Sequence, residues 1–369
     1  MDSTSKRNKV SATRFIDIFN ADDWDSISEV VAEQFVLTHP LAGTIQLGPK
    51  GMAAAWSGDK ESVPDMWHPI PIMITEGDFL AVLLPTYGHF TGKPYHGVPA
   101  SGKWMEYGMV NIVRLEEGKL VRAWFGMDPL VEMQQMGAAP STPPRQFSPA
   151  EQSNVELFQR TINTTNQKHD RVTAFDDVVV AIGPPQHAVD TTVRRVEIYR
   201  NIDGSLKLDY TNEFTTNPPY GGDASADTEQ SRSVVTRFID QVLVGHKLEA
   251  IADTASKHLL LHSTAMPCEA SFYGLQGLND WLSEQWSAFP DLTFDASLIV
   301  AERDIVAVHW TARGTSQGSF LLLPPSGETI EFTGASMYRI EDDRIAEIWD
   351  VRNTLGIMRQ LNPEMGGPH

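Results

Sequence analysis

Apolar residues recur at helical spacing near the start of the chain, at Phe15, Ile16, Phe19, Ile27, Val30, Val31 and Phe35, with Asp22, Asp23 and Asp25 interrupting the run. This pattern predicts a helix-turn-helix entry. The period then changes. Phe79 to Thr86, Trp104 to Leu115 and Leu120 to Trp124 are rich in β-branched and aromatic residues and predict three strands. Glu116-Glu117-Gly118-Lys119 reads as the hairpin turn between the last two. Helices followed by long antiparallel strands predict an α+β fold in which the helices close one face of a curved sheet.

The pattern occurs twice. Thr-Arg-Phe-Ile-Asp stands at Thr13 to Asp17 and again at Thr236 to Asp240. Ordered matches follow: His39 with His262, Gly48-Pro49-Lys50-Gly51 with Gly274-Leu275-Gln276-Gly277, and Val63-Pro64-Asp65-Met66 with Phe289-Pro290-Asp291-Leu292. From Gly102 and Gly327 the copies run without a gap to Met136 and Leu361, pairing Glu106 with Glu331 and Trp124 with Trp349. A repeat of this length is a domain with its own core, so any site is sought twice. The boundaries read as 8–137 and 231–364. The intervening 138–230 belongs to neither copy. It holds a Pro-rich linker at Pro140 to Pro149, a helix at Ala150 to Asn166, strands at Val193 to Tyr199 and Leu206 to Phe214, and a second linker at Asn217 to Asp227. It reads either as a fragment of a third copy or as an arm docked on a neighbour.

Composition narrows the class. With 369 residues, 41 % apolar and 9 % aromatic, the chain is globular. A net charge of −19 without Lys/Arg clusters argues against nucleic acid and anionic membranes as partners. Cys268, a lone cysteine, reads as a buried thiol in a reducing compartment. No apolar run reaches the roughly 18 residues of a membrane span. A cytoplasmic protein is expected, and the sequon at Asn163 then has no role.

Each copy resembles a SnoaL-like domain, the polyketide-cyclase branch of the nuclear transport factor 2-like superfamily. The second copy carries the resemblance in Phe289-Pro290-Asp291-Leu292, Gly314-Thr315-Ser316-Gln317-Gly318, Pro324-Pro325-Ser326-Gly327, Arg344-Ile345-Ala346-Glu347-Ile348-Trp349 and Leu355 to Leu361. The first copy carries it in Arg122 to Asp128 and Gln134-Gln135-Met136-Gly137. The resemblance implies two cone-shaped α+β barrels around deep apolar pockets, chemistry without a cofactor, and dimers formed through the outer sheet face.

In the cyclases a carboxylate four residues beyond the Trp of the last strand moves the proton, and the resemblance carries that role onto Asp128, with Asn353 in the second copy. A desolvated Asp can take a proton where an amide cannot. The alternative is that Asp128, followed by Pro129, caps the next turn. Leu83, Pro85, Tyr87 and His89 share one strand face, matched by His309, Thr311, Arg313 and Thr315. If that face lines the pocket, Tyr87, His89 and Tyr107 hold an oxyanion in the first copy, while Arg313 and Trp310 serve the second. Trp104 and Trp124 are further candidates for substrate contact. His39 and His262 stand where this superfamily often places a pocket residue. Asp350, next to Trp349, is expected on the surface or an interface. His258 and His262 have metal-pair spacing but lack a third ligand, so no metal is expected. Gly314-Thr315-Ser316-Gln317-Gly318 fits a hydrolase nucleophile elbow, which must open a helix; two prolines follow instead.

The expected activity is therefore a cofactor-independent lyase or cyclase, of aldol or retro-aldol type, acting on a bulky apolar small molecule. The alternatives are a non-catalytic binding protein and an epoxide or ester hydrolase, the epoxide enzyme needing paired acids with an Arg between them.

Overall fold

The computed structural model describes residues 3–95, 97–139, 147–162, 171–175, 177–183, 194–214, 219–263, 272–321 and 323–362. Cys268, the Asn163 sequon, most of the Pro140 to Pro149 linker and the tail of the helix expected to reach Asn166 lie outside these residues.

The first copy runs α1 (Ser3–Asn20), a 3-10 turn (Trp24–Glu29), β1 (Val31–His39), β2 (Gly43–Gln46), α2 (Gly48–Ser62), β3 (Ile72–Glu76), β4 (Phe79–His89), β5 (Trp104–Glu116), β6 (Lys119–Gly126) and α3 (Pro129–Met136). The expected second helix is only the 3-10 turn. Val31 and Phe35 begin a strand, because this short apolar run is compatible with either period and tertiary pairing decides. The sheet order is β2-β1-β6-β5-β4-β3, antiparallel except for the β1–β6 pair, and it remains open at both edges. The β5–β6 hairpin turns at Glu117 and Gly118, both with positive φ, as a type I′ turn requires.

The middle segment has α4 (Pro149–Ile162) and four strands, β7 (Arg171–Phe175), β8 (Val178–Gly183), β9 (Arg194–Ile202) and β10 (Ser205–Phe214), paired in sequence order as an antiparallel meander. The sequence pattern revealed only the last two.

The second copy repeats the plan with α5 (Thr228–Phe238), a π-helix (Ile239–Val244), a 3-10 turn (Leu248–Ala250), α6 (Ile251–Thr254), β11 (Ala255–His262), β12 (Phe272–Tyr273), α7 (Gly274–Ala288), β13 (Thr293–Glu302), β14 (Ile305–Thr315), β15 (Thr329–Glu341), β16 (Arg344–Arg352) and α8 (Thr354–Leu361). Its sheet has the same order, β12-β11-β16-β15-β14-β13.

Each sheet buries its concave face under its own helices and its other face against the sister sheet. Ile72, Ile74, Ala81, Leu83, Val110 and Ile112 of the first copy form one buried cluster with Val300, Ile305, Ala307, Ala335, Met337, Trp349 and Val351 of the second, joined by Val178 and Ile198 of the meander. The contact is reciprocal. Glu302 accepts from the Thr75 backbone N–H at 2.7 Å and pairs with Lys9 at 2.8 Å, while Glu76 accepts from the Ala301 N–H at 3.0 Å and pairs with Arg232 at 2.5 Å. Equivalent residues exchanging equivalent bonds define a two-fold pseudo-symmetric interface. The outer face through which dimers are expected is thus covered within the chain.

Candidate active site

The helices and concave sheet of the first copy enclose a cavity of about 540 Å³, the size of a small-molecule pocket. Its polar groups come from separate elements. Met52, Trp56 and Asp59 fall on one face of α2, so the helix that buries Trp56 also carries Asp59 inward. Along β5, alternation sends Tyr107, Met109 and Asn111 into the cavity while Val110 and Ile112 face the sister sheet. Glu132 projects from α3, and Tyr95 from the β4–β5 loop.

These groups form a cluster. The Tyr107 hydroxyl donates to Glu132 Oε1 at 3.0 Å, and the Tyr95 phenol hydrogen-bonds Asp59. Burial pushes both carboxyls up to about 7; the charge on Asp59 adds to the rise at Glu132, and the phenol bonds act against it. Burial and then the charge of Glu132 raise both phenols, which therefore remain donors. Interacting acids of this kind titrate as a pair, so near neutrality the two carboxyls together hold about one proton.

Two histidines and an amide complete the wall. His68 is buried and its pKa is lowered by burial to about 4, which keeps it neutral. Its Nδ1 lies 3.2 Å from the Pro85 carbonyl and 3.1 Å from the Thr86 hydroxyl. His39 Nδ1 accepts from the Leu41 N–H at 3.2 Å, leaving its hydrogen on Nε2 in the neutral ring. Asn111 is 3 % exposed, and its Oδ1 has no hydrogen-bond partner among the described residues.

The remaining expected residues lie elsewhere. Asp128 does not line the cavity. Its Oδ1 caps α3 by accepting from the Leu130 N–H at 3.1 Å, and its Oδ2 accepts from the Thr354 hydroxyl of the second copy at 2.5 Å. Burial raises its pKa to about 6 against those bonds. Asn353 is the matching cap of α8, accepting from the Gly356 N–H and donating to the Pro40 carbonyl. The capping alternative describes both positions.

Tyr87 and His89 sit on the opposite face of β4 from the cavity, because Leu80, Val82 and Leu84 take the inward alternation. Tyr87 stacks between Trp67 and Trp104, the latter 48 % exposed. His89 binds Asp65 through its backbone N–H and Nδ1, at 2.6 and 2.7 Å, just as Thr315 binds Asp291, which explains the repeated Pro-Asp pair. Trp124 also faces outward, against Phe79 and His309 of the interface. Arg313 is exposed on the outer face of β14.

His262 is not the equivalent of His39. Thr38 stands beside Trp124 and His262 beside Trp349, so the true counterpart of His262 is Thr38. The second copy has one extra residue before its first long strand, and the π-helix over Ile239–Val244, whose turn holds an added residue, accounts for it. A one-residue slip reverses the face. His262 accordingly stacks on Trp349 at the interface and bonds Glu347 at 3.0 Å; burial would raise Glu347, but His262 and Arg339 hold it low. His258 lies on the same strand, bonded to Tyr273 at 2.7 Å, and no cluster of metal-ligand type occurs among the described residues.

The second copy keeps only about 60 Å³ of its cavity. Trp310, at the position of Leu84, fills it: a Cβ on Gly334 would lie 2.2 Å from the indole. Its Nε1–H donates to Ser336 at 2.8 Å, and Ser336 donates to Asp350 at 2.6 Å. Asp350 is therefore buried inside the second copy, since Trp349 itself takes the interface side. Ser316 opens no helix, and Gly318 is required because a Cβ would lie 2.1 Å from the Ser287 carbonyl; Gly92 repeats this against Glu61 at 1.9 Å. Asp59 and Glu132 escaped notice in the sequence, although an acid within the apolar stripe of α2, and its replacement by Gln285 in α7, were visible there.

No curated protein sequence matches the chain. Solved structures similar to a single copy include AclR, a putative hydroxylase from Streptomyces galilaeus, at 22 % identity over 38 % of this chain and 87 % of that one, TM-score 0.34. A putative SnoaL-like polyketide cyclase from Jannaschia sp. CCS1 is 21 % identical over 40 % of this chain and all of its own, TM-score 0.34. IdmH, a putative polyketide cyclase from Streptomyces antibioticus, is 22 % identical over 35 % of this chain and 98 % of its own, TM-score 0.32. The profile of the SnoaL-like polyketide cyclases matches residues 9–136 and again 233–361, well over half of the chain, which therefore belongs to that family as a tandem of two copies.

Proposed function

We propose that the chain is an acid–base enzyme of cyclase or lyase type whose chemistry resides in the first copy, with Asp59 and Glu132 as the proton-transfer pair. The observation that carries this reading is the pair of carboxyls, Glu132 buried and Asp59 half-buried, both raised by desolvation to about 7, in one largely apolar cavity. Such a pair offers a base and an acid together at neutral pH.

In an aldol closure, the ionised carboxylate takes a proton from a C–H next to a carbonyl. The resulting enolate carbon attacks a second carbonyl of the same molecule, and the protonated carboxyl delivers its proton to the alkoxide. The proton count balances and nothing is oxidised; the reverse sequence cleaves the same bond. Tyr107 and Tyr95 hold the two carboxyls in place. His68, kept neutral, and His39 supply polar wall positions against an apolar substrate. The hydrolase alternative gains its acid pair here, but no Arg lines the cavity among the described residues.

The test is a turnover screen of hydroxylated aromatic and polyketide-like compounds with the wild type, Asp59→Asn and Glu132→Gln. Each variant is expected to lose about 10²- to 10⁴-fold in kcat. Turnover of an identified substrate that survives both substitutions overturns the assignment.

A further inference from the structure

Asn111 lies four positions beyond Tyr107 on the cavity side of β5, so it stands roughly 13 Å along the strand from the phenol that holds Glu132. A buried acceptor without a donor is costly, and the Asn111 side-chain oxygen is one. The second copy resolves the same position internally. Asn111 pairs with Phe125 across the β5–β6 ladder as Ser336 pairs with Asp350 across β15–β16, which makes Ser336 its counterpart. Ser336 accepts the indole N–H of Trp310, whose ring lies 5.1 Å from Phe294 and 5.9 Å from Phe332. In the first copy Leu84 and Met109 replace Trp310 and Gly334, so no indole N–H is offered to Asn111 from that position, and the cavity remains open.

We propose that Asn111 is a specificity-determining residue of the first cavity: its side-chain oxygen takes a hydrogen bond from an O–H or N–H donor on an apolar ligand bound in that cavity, as Ser336 takes one from the Trp310 indole in the second copy. This rests on the reading that the first cavity receives the substrate. The donor end of the ligand lies at Asn111, which leaves the reacting end at the carboxyl pair.

The full chain is titrated calorimetrically with 2-naphthol and with 2-methoxynaphthalene, which has the same ring system but no donor. The wild type is expected to bind 2-naphthol at least about 10-fold more tightly. Asn111→Leu removes that preference by weakening 2-naphthol alone, and Asn111→Ser, which installs the acceptor of the second copy, retains part of it. Asn111→Ala serves as the acceptor-free variant should Asn111→Leu fail to fold. Equal affinities in the wild type, a preference that survives loss of the acceptor, or binding of neither probe overturns the proposal. The titration reads binding and not chemistry, so a failure of the acid–base reading shows up in turnover and not in this titration.

Discussion

Where the first copy carries Asp59, Tyr107, Asn111 and Glu132, the second carries Gln285, Phe332, Ser336 and Ile357 at matching positions of α7, β15 and α8. The backbones follow one plan, with the same strand order and the same reciprocal bonds across the interface. The interiors diverge. The first keeps about 540 Å³ and two acids; the second is reduced to about 60 Å³ by an indole that uses a glycine's missing Cβ. A duplicated fold thus separates two demands. Placing carboxyls in the wall of an apolar cavity costs stability, whereas a packed copy with a closed interior supplies a rigid face for its sister.

The largest expected effect that breaks this comparison is on chemistry. Asp59→Asn or Glu132→Gln is expected to lower turnover about 10²- to 10⁴-fold, while Gln285→Ala in the second copy leaves turnover within about threefold of the wild type. Because the reaction needs one acid ionised and its neighbour protonated, the pH–rate profile should be a bell centred near 7, given that both groups are raised to about that value. A rate that stays flat from pH 5 to 9 breaks the assignment of roles.

Next in size is the plug. Trp310→Ala removes a buried indole and its bond to Ser336, and should destabilise the chain by about 3–5 kcal/mol in denaturant titration. The first copy's ligand affinity should change little. A loss smaller than about 1 kcal/mol would mean that the second interior is not closed by this residue.

The third effect concerns the cost of the acid cluster. Glu132 is raised to about 7 in the folded chain from its ordinary 4.5. The folded state thus binds the proton more tightly than the unfolded state, and the stability it contributes is present below about 4.5 and lost as the pH rises through about 7. The full loss is about 3 kcal/mol by pH 8. Glu132→Gln, which cannot ionise, should raise Tm at pH 8 and leave it unchanged near pH 4. Equal shifts at both pH values would show that the carboxyl is not destabilised by burial.

Much of the fold was legible in the sequence because duplication supplies its own control. The hairpin at Glu117-Gly118 recurs at Asp342-Asp343, and the Pro-Asp pairs and the terminal Gln135 and Gln360 recur with their bonds. The site was less legible. Tyr87 and His89 share a face with each other, but sequence alternation cannot say whether that face meets the helices or the sister sheet. Both faces of β4 are apolar, so no polar stripe marked the inside. His39 and His262 matched in the count from the pentapeptide because a π-helix shifts the count by one residue, a backbone feature with no side-chain signature. Tyr95 meets Asp59 only through a loop that crosses the end of α2 at Gly92.

The smallest expected effect sharpens the comparison most. Asp128 and Asn353 differ as acid and amide, which at the level of sequence suggests chemistry in one copy only. In the fold they are the same device: each caps its terminal helix, and each reaches across the interface, Asp128 to Thr354 and Asn353 to Pro40. Asn is as good an N-cap as Asp, so Asp128→Asn should cost no more than about 1 kcal/mol, chiefly the charge-assisted bond to Thr354. Turnover should remain within a few fold of the wild type, and Thr354→Val should produce the same small loss of stability without adding to it in the double variant. If Asp128→Asn instead slowed turnover by about two orders of magnitude or more with stability unchanged, the acid–base role would return to the strand end, and the divergence at Asp59 and Glu132 would be a matter of packing alone.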